Sequence, residues 1–275
     1  MKTCPPDLAK RVVKRFDIVG DIAIIKVPSE LAEYRFSLAE ELLRELPYIK
    51  AVFRQCSPHA GDYRLRGLEW LAGERKTTTI HSEHGCRFKI DLARAYFTPR
   101  LSYERLRVAS LANEGELVFN MFAGVGCFSI LLARLKMAEV VSVDLNVDAA
   151  RLMAENVSLN KVRGLVHVIH GDSRSLGLAG EGSWADRVLM PLPLKSLEFL
   201  DAAIHASKLH GVIHFYGEAV GTKDEALRRT QLSVERRARE LGAKVRLLGG
   251  RVVREVGPRT FQVVLDLSLE DKASF

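Results

Sequence analysis

Cysteine is scarce in this sequence, and long apolar runs are absent from it. The four cysteines, Cys4, Cys56, Cys86 and Cys127, include no Cys-x-x-Cys pair. This spacing excludes a disulfide framework or a zinc ribbon and is typical of a reducing compartment. The first residues, MKTCPPDLAKRVVKRFD, carry charges where a signal peptide has its apolar core, and no run reaches the length of a membrane span. We therefore expect a cytoplasmic protein that binds no metal and contacts no membrane.

The chain is long enough, and apolar enough, to build a sizeable core. Of its 275 residues, 47% are hydrophobic, which allows one large domain or a small domain beside a medium one. Lys and Arg number 41 against 34 Asp and Glu, which gives a formal net charge of +7. This basic excess favours a polyanionic partner such as nucleic acid.

Two regions of the sequence have different patterns. Residues 1–98 contain short β-rich runs, a predicted hairpin that turns at His84 and Gly85, and one stretch with helical spacing, which together predict a small α+β domain. Residues 99–275 alternate strand and helix patterns, which predicts an α/β domain with a doubly wound, Rossmann-like parallel sheet. The last two strand candidates are expected to form an antiparallel edge.

The segment LVFNMFAGVGCFSI reads as a buried strand, a glycine turn and a helix. Asp144 ends the next strand candidate and Asp172 ends the one after it, so both acids are expected at the same edge of the sheet as the turn. A carboxylate there can accept hydrogen bonds from the two hydroxyl groups of a ribose. Ser129 stands where the third glycine of a dinucleotide site would be, so the pattern favours a cofactor with a nucleoside and no phosphate.

The segments FAGVGCFSI, VDLNVDAARLMAENVSLNKV and GDSR resemble successive motifs of S-adenosylmethionine-dependent methyltransferases. Nearly the whole chain resembles the archaeal and eukaryal tRNA (guanine-37-N1)-methyltransferase family, in a form without its extra N-terminal domain. Further segments that carry this resemblance are GDYRLRGLEWLAGERKTTTIH, GCRFKIDLARAYFTPRLSYER, DRVLMPLP and GPRTFQVVLDL. The resemblance implies S-adenosyl-L-methionine as cofactor, the tRNA anticodon loop as partner and a monomer. Residues 1–98 would then be the RNA-side domain and residues 99–275 the cofactor-binding catalytic domain.

The same resemblance assigns roles to individual residues. Guanine N1 carries a proton at neutral pH, so a base must remove it while a cation stabilises the charge that builds on O6. The motifs imply Glu104 as that base, Arg64 as the stabilising cation and Arg100 on the substrate side. The positions expected around the cofactor are Tyr96, Asn120, Phe122, Ala123, Gly124, Gly126, Asp144, Leu145, Asp172, Ser173, Met190 and Pro191.

Two positions depart from the family pattern. Pro191 stands where the family has Asn, so a backbone carbonyl, at Met190 or Pro191, must accept from the exocyclic amine of the base. Asn120 replaces an Asp and loses the charge-assisted part of a hydrogen bond to the cofactor's ammonium group. Two alternatives stay open. A form without the extra N-terminal domain also resembles the wyosine-pathway enzymes, which transfer an aminocarboxypropyl group or methylate a tricyclic precursor at position 37. Pro191 and Asn120 would instead support an RNA-binding adaptor without activity.

Overall fold

A computed structural model describes residues 16–57, 61, 63–179 and 182–273 of the chain. The first part is a four-stranded sheet in the order β1-β2-β3-β4, in which only β2 and β3 pair in parallel. Its elements are β1 (Phe16–Val19), β2 (Ile22–Ile25), a 3-10 helix (Ser29–Tyr34), α1 (Arg35–Glu45), β3 (Ala51–Gln55) and β4 (Leu68–Gly73). Helix α1 buries Leu38, Ala39 and Leu42 against this sheet because they recur at helical spacing.

Strands β5 (Thr78–Glu83) and β6 (Cys86–Asp91) form the predicted hairpin. Its two turn residues have positive φ, 49° at His84 and 74° at Gly85, as a tight two-residue hairpin turn requires. The hairpin contacts both parts of the chain, and on the side of the first sheet the Gly20 N–H donates to His81 Nδ1 at 3.1 Å. Two buried Asn side chains, Asn156 and Asn160, accept from the hairpin N–H groups of Lys89 and Arg87 at 2.6 and 2.8 Å.

The second sheet has seven strands in the order β12-β13-β11-β10-β7-β8-β9. Its strands are β7 (Leu117–Asn120), β8 (Glu139–Asp144), β9 (Leu165–His170), β10 (Ala185–Met190), β11 (Ser207–Val220), β12 (Ala243–Gly257) and β13 (Thr260–Lys272). Strands β7 to β11 pair in parallel, and β13 pairs antiparallel with both β11 and β12. The predicted doubly wound sheet with an antiparallel edge is confirmed.

Helices cover both faces of this sheet. They are α2 (Ser102–Leu111), α3 (Cys127–Lys136), α4 (Val147–Leu159), α5 (Ser173–Gly177), α6 (Leu200–Ala206) and α7 (Lys223–Glu240). The chain runs outward from β7 to β8 and β9, then returns to the other side of β7 as β10. This reversal opens a crevice at the carboxyl ends of β7 and β10, which is where open α/β sheets bind ligands. Within the described residues, no helix is both long and apolar enough to cross a membrane.

Candidate active site

A cleft lies at the carboxyl ends of β7, β8, β9 and β10, and a loop of the small domain completes it. The empty space of this cleft, including the part that is open to solvent, measures about 790 Å³. The residues that line it are Tyr63, Arg64, Tyr96, Met121, Phe122, Gly124, Asp144, Leu145, Asn146, Ala149, Gly171, Asp172, Ser173, Pro191, Leu192, Lys195 and Phe199. The fold thus brings most of the residues predicted around a cofactor into one place.

The glycine turn between β7 and α3 forms one side of the cleft. Gly124 and Gly126 have φ of +57° and +90°, a left-handed conformation that L side chains rarely adopt. A Cβ on Gly126 would lie 2.8 Å from the Met153 Cγ, so this glycine also lets α3 pack closely on α4. The Gly124 N–H donates to Asp144 Oδ2 at 2.7 Å, which fastens the turn to the end of β8.

Asp144, the last residue of β8, is the most buried acid of the cleft wall. Its Oδ1 accepts from the Asn146 N–H at 2.9 Å, and its Oδ2 accepts from Gly124. Burial raises the pKa of this carboxyl, and the two backbone N–H groups oppose that rise. Each carboxylate oxygen has a second lone pair, so Asp144 can still accept hydrogen bonds from the hydroxyl groups of a ligand.

Asp172 and Ser173 lie at the end of β9, on the same edge of the sheet. The Asp172 side chain accepts from the Arg174 N–H at 2.9 Å and so caps the short helix α5. Leu145 is exposed and lines the cleft between the two acids, and Phe122 contacts Phe199 edge-on with ring centroids 5.0 Å apart. The wall thus combines carboxylates with apolar surfaces on which a flat ring can rest.

Arg64 faces the cleft from the small domain. Its guanidinium lies 4.8 Å from the centroid of the Tyr96 ring, and its backbone has a φ of +51°. The Tyr96 hydroxyl accepts from Arg254 Nη2 at 3.2 Å. Arg64 and Tyr96, which the sequence analysis assigned to separate roles, therefore form a stacked pair, with a second cation at the tyrosine hydroxyl.

Pro191 lines the cleft directly after β10. The Met190 carbonyl accepts from the Leu192 N–H at 2.8 Å and from Ser196 Oγ at 2.9 Å. Ser196 Oγ is equally close to the Leu192 carbonyl and has one proton to donate, so the Leu192 N–H is the donor that engages the Met190 carbonyl in either case. Among the described residues we find no donor to the Pro191 carbonyl.

Four residues expected around the cofactor lie behind the cleft wall and do not line it: Asn120, Ala123, Gly126 and Met190. Their backbone and side chains support the wall instead. Asn120 is fully buried and donates to Ser129 Oγ at 2.9 Å, while its Oδ1 has no partner within the described residues. Asn120 therefore lies under the glycine turn, and its contact with a cofactor stays a prediction.

Sequence reasoning missed several residues of the wall. Asn146 and Gly171 adjoin predicted positions and belong to the same strand ends, so the motif DLN and the segment HGDS carried a signal for them. Lys195 and Phe199 lie in the segment after β10, which turns through a 3-10 helix at Ser196–Phe199. No periodic pattern in the sequence marks that turn as part of the site.

Glu104 is buried beside the cleft and does not line it. Only 2% of its surface is exposed, and its carboxylate accepts from three side chains: Arg107 (2.7 Å), Tyr216 (2.8 Å) and Arg251 (3.0 Å). A base must reach the proton that it removes, so one of these donors has to be displaced before Glu104 can serve. Its role as general base stays a prediction.

Arg100 lies outside the cleft, with half of its side chain exposed. Its Nε donates to Asp17 Oδ1 at 2.8 Å, which links the turn before α2 to β1. The assignment of Arg100 to the substrate side stays a prediction.

The partners of Glu104 belong to a buried chain of charges that crosses the sheet. Arg107 also donates to Asp266 at 2.6 Å, and Asp266 accepts from His214 Nδ1 at 2.5 Å. The other ring nitrogen of His214 faces Arg187 Nη1 at 2.6 Å, and Arg187 donates to Glu116. An arginine can only donate, so Nε2 of His214 accepts, Nδ1–H donates, and the ring is neutral.

This chain of charges makes stability depend on pH. Burial lowers the pKa of His214, and the neighbouring Arg187 and Arg107 lower it further against the opposing effect of Asp266. The unfolded chain then binds a proton that the folded chain excludes, so we expect the free energy of unfolding to fall as the pH drops below about 6.5. Urea unfolding at pH 7.5 and pH 5.5 measures this, and the His214→Gln variant should show a weaker dependence. An unchanged dependence in that variant would assign the effect to other groups.

Two sequence models of known domains match the chain. The TRM5/TYW2 methyltransferase domain matches residues 79–246, and the TYW2 N-terminal domain matches residues 1–77. The first of these spans both the hairpin and most of the seven-stranded sheet.

Named relatives cover almost the whole chain. It is 42% identical to the tRNA (guanine(37)-N(1))-methyltransferase Trm5b of Pyrococcus abyssi, over 95% of this chain and 77% of the relative. It is 37% identical to the tRNA 4-demethylwyosine(37)-methyltransferase Taw21 of Saccharolobus solfataricus, over 92% and 93%. It is 32% identical to the tRNA(Phe) (4-demethylwyosine(37)-C(7)) aminocarboxypropyltransferase of Pyrococcus horikoshii, over 97% and 93%.

Solved structures give the same result. Trm5b of Pyrococcus abyssi superposes with a TM-score of 0.86 at 40% identity, over 98% of this chain and 79% of that one. The complex of aTrm5 with tRNALeu superposes with a TM-score of 0.82 at 32% identity, over 96% of this chain and 75% of that one. TYW2 of P. horikoshii in complex with MeSAdo gives 0.81 at 29%, over 97% and 95%. Sequence and fold agree over both parts of the molecule, and the chain therefore belongs to the TRM5/TYW2 methyltransferase family.

Proposed function

We propose that this protein transfers a methyl group from S-adenosylmethionine to the base at position 37 of tRNA, with N1 of guanine as the first target. The observation that carries this proposal is the cleft itself. It brings a half-buried carboxylate at the end of β8 and a glycine turn together with the stacked pair of Arg64 and Tyr96. The relatives named above act on position 37, and one related structure contains tRNA.

The residues of the β7, β8 and β9 ends fit the cofactor. Asp144 can accept from the ribose hydroxyls because each of its oxygens has one lone pair that is not engaged by the turn. Leu145 and Phe122 offer apolar surface to the adenine. When bound, S-adenosylmethionine supplies a methyl group on a sulfonium, which is a good leaving group. No metal or covalent nucleophile is needed for such a transfer.

The opposite side of the cleft fits the base. Arg64 brings a cation to the side where charge builds on O6 as N1 loses its proton. The Pro191 carbonyl can accept from the exocyclic amine, because no donor among the described residues engages it, whereas the Met190 carbonyl already accepts from the Leu192 N–H. Both contacts hold the base in the plane that methyl transfer to a ring nitrogen requires.

The general base of this proposal is Glu104. Its carboxylate is already hydrogen-bonded to Arg107 and Tyr216 from the buried side, and these donors fix its orientation. Arg251 is its most exposed partner, so displacement of Arg251 costs the least free energy and makes a carboxylate oxygen available to the N1–H. The target nucleobase must also leave the stack of the anticodon loop to reach Glu104.

A second candidate is methylation of a tricyclic wyosine-type base at the same position. Two observations favour it: Pro191 offers no side-chain amide to a guanine edge, and Glu104 needs a change of partners before it can act. A carbon target would not require the removal of the N1 proton. The relative Taw21, whose name specifies 4-demethylwyosine, matches this chain at 37% identity.

Mass spectrometry of nucleosides distinguishes these candidates. The protein is incubated with cofactor and with tRNA that carries either unmodified guanosine 37 or 4-demethylwyosine at that position. One added methyl on guanosine is the expected result, and one added methyl on the tricyclic base alone would establish the second candidate. An aminocarboxypropyl adduct, or no product from either tRNA, would contradict the proposed methyl transfer.

The cofactor assignment predicts the effect of a single substitution. Asp144→Ala removes an acceptor for the ribose hydroxyls, and we expect the cofactor dissociation constant to rise by a factor on the order of 10 to 100, since charge-assisted hydrogen bonds contribute about 1.5 to 3 kcal/mol each. Calorimetry with the cofactor measures this. Asp148→Ala, on helix α4 and outside the cleft, is the matched control, and equal dissociation constants in the two variants would refute the assignment.

A further inference from the structure

A second Arg-over-Tyr pair lies on the surface near the cleft. The Arg251 guanidinium is 4.8 Å from the centroid of the Tyr103 ring, the same distance as in the pair of Arg64 and Tyr96. Tyr103 is 66% exposed, and the Arg251 side chain is 36% exposed. The ring therefore offers most of its surface to solvent and adds little to the core.

Strand β12 connects this pair to the cleft. Arg254 follows Arg251 by three residues, a distance of about 10 Å along a strand. Its Nη2 donates to the Tyr96 hydroxyl at 3.2 Å and its Nη1 to Thr98 Oγ1 at 3.3 Å. Since Tyr96 lines the cleft, cations and aromatic rings continue from the cleft to the surface pair.

The surface pair also adjoins the proposed base. Tyr103 directly precedes Glu104, and Arg251 donates to Glu104 Oε2 at 3.0 Å. Arg251 contacts the Tyr103 ring and Glu104 at the same time, so a ligand that stacks on the pair meets the same guanidinium that holds the carboxylate.

We propose that Tyr103 and Arg251 form a stacking site for an unpaired nucleobase, the neighbour of the base held in the cleft. Aromatic rings and guanidinium planes are the surfaces on which proteins stack splayed bases of single-stranded RNA. The cationic partner suits a polyanion, and the chain has a net charge of +7. This inference rests on the proposed function, since it assumes that a base of an RNA loop occupies the cleft.

The test uses the full chain and an anticodon stem-loop RNA with 2-aminopurine at position 36 or 38. Stacking on Tyr103 should quench the fluorescence of one of these probes, and Tyr103→Ala should abolish that quenching and weaken stem-loop binding about tenfold. Tyr103→Phe should retain both effects because the ring remains. Tyr48→Ala, which removes another exposed tyrosine from the small domain, is the matched control and should bind like the parent.

The outcomes separate this inference from the proposed function. Equal affinity and equal quenching for the parent and Tyr103→Ala, with methylated nucleoside still formed by the parent, would overturn the stacking site alone. Quenching that depends on Tyr103 in a protein that forms no methylated product would support the site and contradict the proposed reaction. Cofactor affinity, measured by calorimetry, should be the same in all four proteins because the pair lies outside the cleft.

Discussion

Replacing Glu104 by Gln is expected to lower methyl transfer, at saturating tRNA and cofactor, by a factor on the order of 100 or more, which is the usual contribution of a positioned general base. The amide keeps the size of the carboxylate but does not take a proton from guanine N1. Cofactor affinity should be unchanged, since Glu104 does not line the cleft. Single-turnover kinetics with the variant measure the chemical step directly.

Glu83→Gln is the matched control for that experiment. Glu83 is buried like Glu104 and accepts from Arg105 Nη1 at 2.7 and 2.9 Å, so the same substitution breaks an equivalent ion pair outside the cleft. If Glu104 acts as the base, Glu83→Gln loses stability and keeps most of its turnover. Equal turnover of Glu104→Gln and the parent would remove Glu104 from the mechanism.

Removing the carboxylate of Asp266 is expected to cost about 3 kcal/mol of unfolding free energy. Asp266 accepts from Arg107 and His214, and its loss leaves a buried guanidinium with one partner fewer and a buried N–H without an acceptor. Burial alone raises the pKa of Asp266, but the hydrogen bonds from His214 and Arg107 lower its net pKa far below the ordinary range. Urea unfolding of Asp266→Ala at pH 7.5 measures the loss.

Glu270→Ala offers a control on the same strand. Glu270 pairs with Arg246 at 2.8 Å, and the arginine side chain of that pair is 61% exposed. Exposed ion pairs add little to stability, so this variant should unfold close to the parent. Similar urea midpoints for Asp266→Ala and Glu270→Ala would show that the buried chain of charges does not hold the fold together.

The architecture could be predicted because its signals are local. Strand and helix patterns alternate from β7 onward, and the resemblance to the family is confirmed. The glycine turn, Asp144 and Asp172 were located from the sequence since each ends a strand, and parallel strands end at one edge. The division of the chain at residue 98 stays a prediction, because the β5–β6 hairpin is hydrogen-bonded both to Gly20 in the first part and to Asn156 and Asn160 in the second.

The surroundings of Glu104 could not be predicted from the sequence. Arg107 lies one helical turn away and was accessible to pattern reasoning. The same cluster contains one residue from each of β11, β12 and β13, namely Tyr216, Arg251 and Asp266. Whether these side chains lie close together depends on the pairing register of the antiparallel edge. Register of this kind is set by packing across the whole sheet, so the motif PRLSYER alone made Glu104 look more accessible than it is.

The distance along the chain between Glu104 and its partners has a consequence for biosynthesis. Glu104 is followed by Tyr216 after 112 residues and by Arg251 after 147 residues. Its partner Arg107 is followed by Asp266 after 159 residues. A ribosome that has made only the cofactor-binding strands β7 to β9 carries a nascent chain in which this acid has none of those ligands. The environment of the proposed base is thus completed only after β12 and β13 have been translated.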